Sequence, residues 1–505
     1  MKVFLAGYNV DTEILKELNK EHNGIPLTPE TISAAYARIS RSPNSVIELR
    51  REARTEVENA RKSNRRIIFE MSHHSIAEHA VFNFDIIGIS RRAVEELEGH
   101  RLCSYTEKSQ RYVTFKGGVF IPEELKNPSL LGQYLNLIKL QQSFYLNLLD
   151  KLISLNQKKF PDLINEPKGK RQLENLAKED ARYILPLATK TQLGATINAR
   201  NLELMLRRFA SHQLKEINQL GEKLFHTTRR IAPSLLLFFK ANDYDRLTYP
   251  MLREYINGAF SRKNQDTLKI KCRSDVLSDE GVSLVDYTSD GDDKVLAAIL
   301  FKIKNIDYQR CQSIIKKMNE KQKLELFKKA CHYLELYDTV LREFEFTNLT
   351  YSLTVSAAAF GQLKRHRIAT IIAQEYNPQL GNTIPESIKE IGEEKNFMEI
   401  VERTNSLYNK IEKKYPGVGS YILTNSHRKR VLMSLNLREL YHISRLREDP
   451  TAQWDIRDTV HKMSKLAKRI LPVTSRLLCS KSDYPEVYYK IYGKYPKVTA
   501  VPPPG

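Results

Sequence analysis

The chain has 505 residues, 41% hydrophobic and 28% charged, with a formal net charge of +20. That balance belongs to folded globular proteins and excludes a disordered polymer; the length exceeds one ordinary core and suggests two domains of roughly 250 residues. No run approaches 18 apolar residues, so no membrane-spanning helix is expected. The five cysteines (Cys103, Cys272, Cys311, Cys331 and Cys479) are scattered, odd in number and without a Cys-x-x-Cys pair. They read as reduced thiols rather than a disulfide framework or a zinc site. The positive field favours anionic partners: nucleic acid, phosphorylated nucleotides or acidic cofactors. Its plain alternative is a solvated lysine surface, since pairs such as Lys316-Lys317 and Lys328-Lys329 stand near glutamates.

In chain order, residues 1–7 are too short an apolar stretch for a secretory signal and read as a first strand, which makes a cytoplasmic location the expectation. Three–four spacing of apolar residues predicts helix over 29–64, 127–155, 202–230, 321–342 and 455–471. Strand-like runs cover 81–87 and 344–351, each followed by a helical stretch, 90–99 and 354–364. Polar and turn residues at 243–249, 274–280 and Asp290-Gly291-Asp292-Asp293 mark breaks, placing a join between 240 and 282.

Each strand–helix unit ends at a basic element, one around His100 and one around His366, 266 residues apart. The first has Gly99-His100-Arg101 but keeps Ser109 and Arg111. The second keeps Arg365-His366-Arg367 but has Glu375 and Asn377 in place of that serine and arginine. Further on, Asn198-Ala199-Arg200 answers Asn436-Leu437-Arg438, and Arg208 with Glu216-Ile217 answers Arg447 with Asp455-Ile456. The histidine-to-asparagine distance is 98 residues in the first half and 70 in the second, so the first half carries an insertion, expected within 117–180. So long a period means domain duplication. The losses are complementary, which suggests two half-sites that jointly make one.

Glu107, Ser109 and Arg111 are spaced by two, so on an extended strand one face would offer a carboxylate, a hydroxyl and a guanidinium fork. On a helix turning ~100° per residue, Asn436, Arg438, His442 and Arg447 fall at roughly 0°, 200°, 240° and 20°. Asn436 and Arg447 would then share one face, and Arg438 and His442 another. No His–Asp pair is spaced to activate Ser109 as a nucleophile.

Together these residues resemble the flavin-dependent thymidylate synthases. That family's signature is Arg-His-Arg, then Ser, then Glu-x-Ser-x-Arg-Tyr, preceded by His-x-Ser/Thr-Pro-x-Glu-His and followed by Asn-x-Arg and a further arginine. Here the stretch His73-His74-Ser75-Ile76-Ala77-Glu78-His79, the two histidine elements, Arg182-Tyr183-Ile184-Leu185-Pro186 and the two Asn-led segments carry the likeness over most of 65–235 and 340–475.

The resemblance implies an α+β fold of two tandem, helix-rich synthase-like domains, 1–240 and 282–496, with a linker at 241–281 and a flexible tail at 497–505. It implies reductive methylation of dUMP to dTMP with reduced FAD, and NADPH and methylenetetrahydrofolate as co-substrates. In that family four subunits assemble and the site lies between them, which for this duplicated chain implies a homodimer. Carried over residue by residue, Arg365, His366, Arg367, Asn436, Arg438, His442 and Ser75 would touch the flavin. Gln362, Arg365, Glu107, Ser109, Arg111, Arg182 and Arg447 would hold the nucleotide, and Arg447 would oppose charge developing on the pyrimidine. The reciprocal site has Glu96, Gly99, Glu375, Asn377 and Ser420 at the corresponding positions. A carboxylate ~4 Å from a phosphate charge costs about 4 kcal/mol at an effective dielectric of ~20, which decides against nucleotide binding there. Two other readings stay open: a flavoenzyme acting on another uracil-containing substrate such as RNA, which the charge permits, and a non-catalytic nucleotide- or nucleic-acid-binding relative.

Overall fold

Alternation of apolar and polar residues builds the central strands. In β2 (Val81–Ser90) it buries Phe82, Phe84 and Ile86 and leaves Asn83 and Asp85 exposed. The computed structural model describes residues 1–11, 28–38, 42–70, 73–115, 118–259 and 277–500; Cys272, much of the expected linker and the last five residues lie outside them.

The first repeat contains β1 (Lys2–Tyr8), α1 (Glu30–Arg38), α2 (Val46–Thr55), α3 (Val57–Arg65), β2, α4 (Arg91–Glu98), β3 (Ser104–Glu107) and α5 (Pro128–Lys159). It continues with α6 (Pro167–Ala181), β4 (Lys190–Asn198), α7 (Ala199–Ala210), α8 (Lys215–Thr228) and α9 (Asp243–Ala259). The second contains β5 (Leu277–Asp279), β6 (Val282–Tyr287), α10 (Gly291–Ile303), α11 (Tyr308–Lys317), α12 (Glu320–Ala330), β7 (Asn348–Ser356), α13 (Ala357–Leu363) and β8 (Thr370–Ala373). It ends with α14 (Glu386–Glu390), α15 (Glu394–Lys414), β9 (Arg428–Asn436), α16 (Leu437–Arg447), α17 (Trp454–Ile470) and α18 (Tyr484–Tyr492).

The two sheets are antiparallel and share one topology, β1-β2-β4-β3 and β5-β6-β7-β9-β8, the second with one extra edge strand. Their central pairs even share a register. Val81 faces Asn198 and Ser90 faces Lys190, as Asn348 faces Asn436 and Ser356 faces Arg428. β2 has ten residues against nine in β7, and the extra one is absorbed between Ile87 and Ile89 at Gly88, whose φ of 77° suits glycine. Duplication is thus visible in the backbone.

The compact units cut across the repeats. One comprises Met1–Ile270 with Ser387–Leu423; the other comprises Lys271–Glu386 with Thr424–Gly505. The second repeat's long helix α15 therefore packs in the first unit, beside α5. There Leu407, Ile411, Val418, Tyr421 and Ile422 join the core built from Phe82, Phe84, Leu206 and Ile217, and Phe144 meets Phe397 with ring centroids 6.5 Å apart. Buried Gln141 donates through Nε2 to Thr404 Oγ1 and to the Ile422 carbonyl, both at 3.0 Å. The insertion in the first repeat is α6 with the short turn before it; the second repeat has only a tight turn at Gly417 (φ 84°) there.

Several elements differ from the sequence expectation. The 29–64 helix is at least three helices, with a capping box at Ser45 and Glu48 starting α2. The 202–230 helix breaks into α7 and α8, because Asn218 Nδ2 takes the Phe209 and His212 carbonyls at 2.7 and 3.0 Å. The 321–342 helix stops at Ala330, where the hydroxyls of Tyr484 and Tyr488 claim the Leu334 and His332 carbonyls. The strand expected at 344 starts at Asn348, after a 3-10 turn. Cys103, Cys311, Cys331 and Cys479 are buried and none of them forms a disulfide. No described helix is long and apolar enough to cross a membrane.

Replacing Gln141 by Leu strands the buried Ile422 carbonyl and should cost about 1–3 kcal/mol in urea denaturation. Gln133→Leu on the exposed side of the same helix should stay within about 0.5 kcal/mol. Equal effects would show that the Gln141 bonds do not hold α15 in the first unit.

Candidate active site

Each histidine element is aimed by the helix before it, and both helices are anchored alike. Ser90 caps α4, accepting from the Ala93 amide at 3.0 Å, and donates to Glu216 at 2.6 Å. Ser356 caps α13, accepting from the Ala359 amide at 3.0 Å, and donates to Asp455.

In the second unit α13 ends at Leu363 and delivers His366 into the interior, 3% exposed. Its Nε2 accepts a hydrogen bond from Arg447 Nε at 3.0 Å, so the ring proton sits on Nδ1, which faces the Glu439 carboxylate at 3.7 Å. The His442 ring stands edge-on at 6.0 Å. Burial, with the charge of Arg447 and His442, holds His366 well below the ordinary histidine range, so it is neutral. Burial raises the Glu439 carboxyl, against the pull of His442 and Arg438.

The helical wheel separated Arg447 from His442, yet both reach His366. Arg447 is the last residue of α16, and a long side chain there folds back toward the helix N-terminus. Asn436 is the cap of that helix, its Oδ1 accepting from the Glu439 amide at 2.8 Å, as Asn198 does for Asn201 at 2.9 Å. Arg438 turns to the 339–345 loop, donating to the Val340 carbonyl (2.9 Å), Glu345 (2.9 Å) and Thr339 (3.1 Å). Gln362 donates to Gln453 at 3.4 Å, Arg365 is half-buried beside His366, and Arg367 is exposed. Among the described residues Arg367 has no ion pair.

In the first unit the expected strand face ends early. β3 stops at Glu107; Ser109 and Arg111 lie in a turn in which the Val113 amide bonds the Ser109 carbonyl at 3.2 Å and the Arg111 amide bonds Ser109 Oγ at 3.1 Å. Alternation therefore does not align the three side chains. Tertiary contacts hold Arg111 and Glu107 on different partners instead. Arg111 ion-pairs with the Glu179 carboxylate, and buried Arg182 donates through Nε to the Glu179 carbonyl at 3.2 Å. Burial, with Arg91 and Arg111 nearby, lowers the Arg182 guanidinium from its ordinary value. Glu107 pairs with Arg91 at 2.5 Å. Ser75 is exposed on a short 3-10 helix, His74–His79.

Sequence reasoning missed Arg91 and Glu179. Arg91 had a signal, since Ser90-Arg91 aligns with Ser356-Ala357 and repeats the asymmetry of the other arginines. Glu179 had none; a carboxylate on a polar helix face is common, and only packing shows its arginines.

The corresponding positions of the opposite repeat are otherwise engaged. Glu96, standing where the second repeat has Gln362, ion-pairs with Arg92 at 2.6 Å and lies 3.8 Å from His212. Arg92 also donates to Ser420, the counterpart of Arg182, at 3.3 Å, so α4 of the first repeat meets the 418–422 segment of the second. Asn377 spends its side chain capping a turn, accepting from the Gln379 amide at 2.9 Å, and Glu375 is exposed.

Burial also dominates at His100, pulled down to about 4 with help from Arg208, and at His427, pulled down to about 3. An unfolded histidine titrates near 6.5, so below that pH the unfolded chain takes protons that the folded chain refuses. Stability is expected to fall as pH drops from ~6.5 toward 4, by up to about 1.4 kcal/mol per pH unit for each buried histidine. His100→Gln should flatten the curve of unfolding free energy against pH by about that slope. Parallel curves for the two proteins would contradict a neutral buried His100.

Compared with known proteins, the chain matches the family model described as thymidylate synthase complementing protein twice, over residues 25–234 and 283–473. A UPF0159 protein of Thermoplasma acidophilum is 22% identical over 475 residues, covering 83% of this chain and 89% of that protein. A flavin-dependent thymidylate synthase of Clostridium tetani is 31% identical over 215 residues, covering 42% of this chain and 82% of that protein. Among solved structures, the Helicobacter pylori flavin-dependent thymidylate synthase complexed with FAD and dUMP covers 47% of this chain and 100% of its own, at 20% identity and a TM-score of 0.30. With two matches that together span most of its length, the chain belongs to the thymidylate synthase complementing protein family, as a tandem duplication of the family domain.

Proposed function

We propose that the chain is a flavin-dependent methyltransferase converting dUMP to dTMP, at one site built jointly from residues of the two repeats. The observation that carries this reading is complementarity. Arg111 and Arg182 meet at Glu179 in the first repeat, and Arg447 is held by neutral His366 in the second. Arg111 and Arg182 answer Asn377 and Ser420 in the second repeat, and Gln362 and Arg365 beside His366 answer Glu96 and Gly99 in the first, while Arg447 and His366 are matched in type by Arg208 and His100.

The residues of the second repeat fit a flavin. Arg365 and Arg367 on either side of the buried His366 offer cations for phosphate, and His442, exposed beside that ring, offers a flat contact. Arg438 fits less well, since each of its three nitrogens already donates to the 339–345 loop. Reduced FAD would supply the two electrons, methylenetetrahydrofolate the one-carbon unit, and NADPH would return the cofactor to its reduced form. The chain's own residues position and polarise. Arg111 and Arg182 would bind the nucleotide phosphate, which would compete with the Glu179 carboxylate for Arg111. Glu107 orients Arg91 through their ion pair. Arg447, oriented by its bond to His366, would face the pyrimidine and stabilise negative charge on it, a contribution of about 3–4 kcal/mol when pre-aimed. Gln362 and Arg365 would complete the nucleotide site. Two chains would give the four-domain assembly the family uses.

The purified chain should bind FAD, seen as a yellow spectrum, and reoxidise reduced FAD only when dUMP and methylenetetrahydrofolate are both present. Arg111→Ala and Arg447→Ala should each lower turnover about 100-fold, while Asn377→Ala stays within about twofold. A colourless protein that FAD and dUMP do not stabilise thermally would rule out the enzyme. Equal small effects of Arg111→Ala and Asn377→Ala would favour a binding module.

A further inference from the structure

A cavity of about 980 Å³ lies in the first unit, and neither Arg111, Arg182 nor Glu179 lines it. Its walls come from the end of α7, one side of α8 and the segment that leads into α9. Phe225 and Phe239 form its aromatic wall, stacked at 3.8 Å with an interplanar angle of 19°. Two cations are seated on that pair: the Arg229 guanidinium 5.5 Å from the Phe225 ring centre and the Lys240 ammonium 6.0 Å from that of Phe239. Arg246 adds a third from the first turn of α9, donating to the Ala241 carbonyl at 2.7 Å. His212 and His226 line the same space, and the one carboxylate on its wall is Glu222.

Ordinary surface chemistry does not account for this. Among the described residues Arg229, Lys240 and Arg246 have no carboxylate partner. The nearby Asp245 is paired with Arg207 at 3.0 Å. A cation held on an aromatic face is oriented without being neutralised, so Arg229 and Lys240, with the carbonyl-bound Arg246 beside them, favour an anion in the cavity. Inorganic phosphate would leave most of the volume, and the apolar wall of Leu206, Phe225, Phe239 and Ala241, unused. The size falls in the range of pockets for nucleotide-sized ligands.

We propose that this cavity binds a phosphorylated nucleoside, its phosphates on Arg229, Lys240 and Arg246 and its ring against the Phe225–Phe239 wall. The site belongs to the first repeat and does not depend on the methyltransferase reading. Through His212, 3.8 Å from Glu96, it adjoins the half-site that has lost its glutamine and arginine.

The test titrates the full chain with the N-methylanthraniloyl derivative of ATP and follows fluorescence anisotropy. Saturation at one equivalent per chain, competed more strongly by ATP than by adenosine or pyrophosphate, is expected. Arg229→Ala with Lys240→Ala should weaken binding about tenfold or more, the loss of at least ~1.4 kcal/mol. Glu222→Ala should tighten it, a gain that misfolding could not produce. Arg111→Ala should leave it unchanged, which separates this site from the proposed active site. No saturation by ~1 mM, wild-type affinity in the double variant, or loss of binding in Arg111→Ala would overturn the proposal.

Discussion

One buried carboxylate, Glu216, ties the first unit together. It accepts from the Ser90 amide at 2.8 Å, the Ser90 hydroxyl at 2.6 Å and the Tyr421 hydroxyl at 2.9 Å. A carboxylate that is 1% exposed survives in an apolar core only when donors replace its water, and burial still raises its pKa. Those three bonds fix the cap of α4, the start of α8 and the 418–422 segment of the other repeat against each other. The Ala188 amide then bonds the Tyr421 carbonyl at 2.7 Å, and the Leu187 amide the Leu423 carbonyl at 2.8 Å, so the two homologous segments of the duplication lie side by side. Glu216 thereby makes the packing of residues from the two repeats interdependent within this unit.

That interdependence gives duplication a route to asymmetry. Once both copies of the site-forming elements are held in one chain, each can lose half its functional residues without loss of the whole. The losses are filled with local structure. Glu96 binds Arg92, Ser420 takes the same guanidinium, and Asn377 caps a turn. Each of these residues makes an internal contact within its own surroundings. Arg182, by contrast, is buried with Arg91 and Arg111 close by, an arrangement that lowers its pKa.

The fold was legible where periodicity is strong. The β2 and β7 runs, the helices after them and the internal repeat all follow from spacing. Boundaries were less legible, because the atoms that end a helix often come from far away; the Tyr484 and Tyr488 hydroxyls at Leu334 and His332 are an example. The exchange of α15 into the first unit had no sequence signal, since an apolar helix face does not say which core it joins. The candidate residues could be named by type from the sequence but not placed by geometry. Arg447 and His366 meet as a pair, Asn436 is chiefly a cap, Arg438 faces another loop, and the Glu107–Arg111 strip bends into a turn after its first member.

Calorimetric titration with dUMP to equivalence tests the central claim most directly. One complete site assembled from complementary halves predicts one dUMP bound per chain, however many chains associate. Two equivalents per chain would contradict it, because the pairing of Glu96 with Arg92 and the capping role of Asn377 would then not have closed the second site.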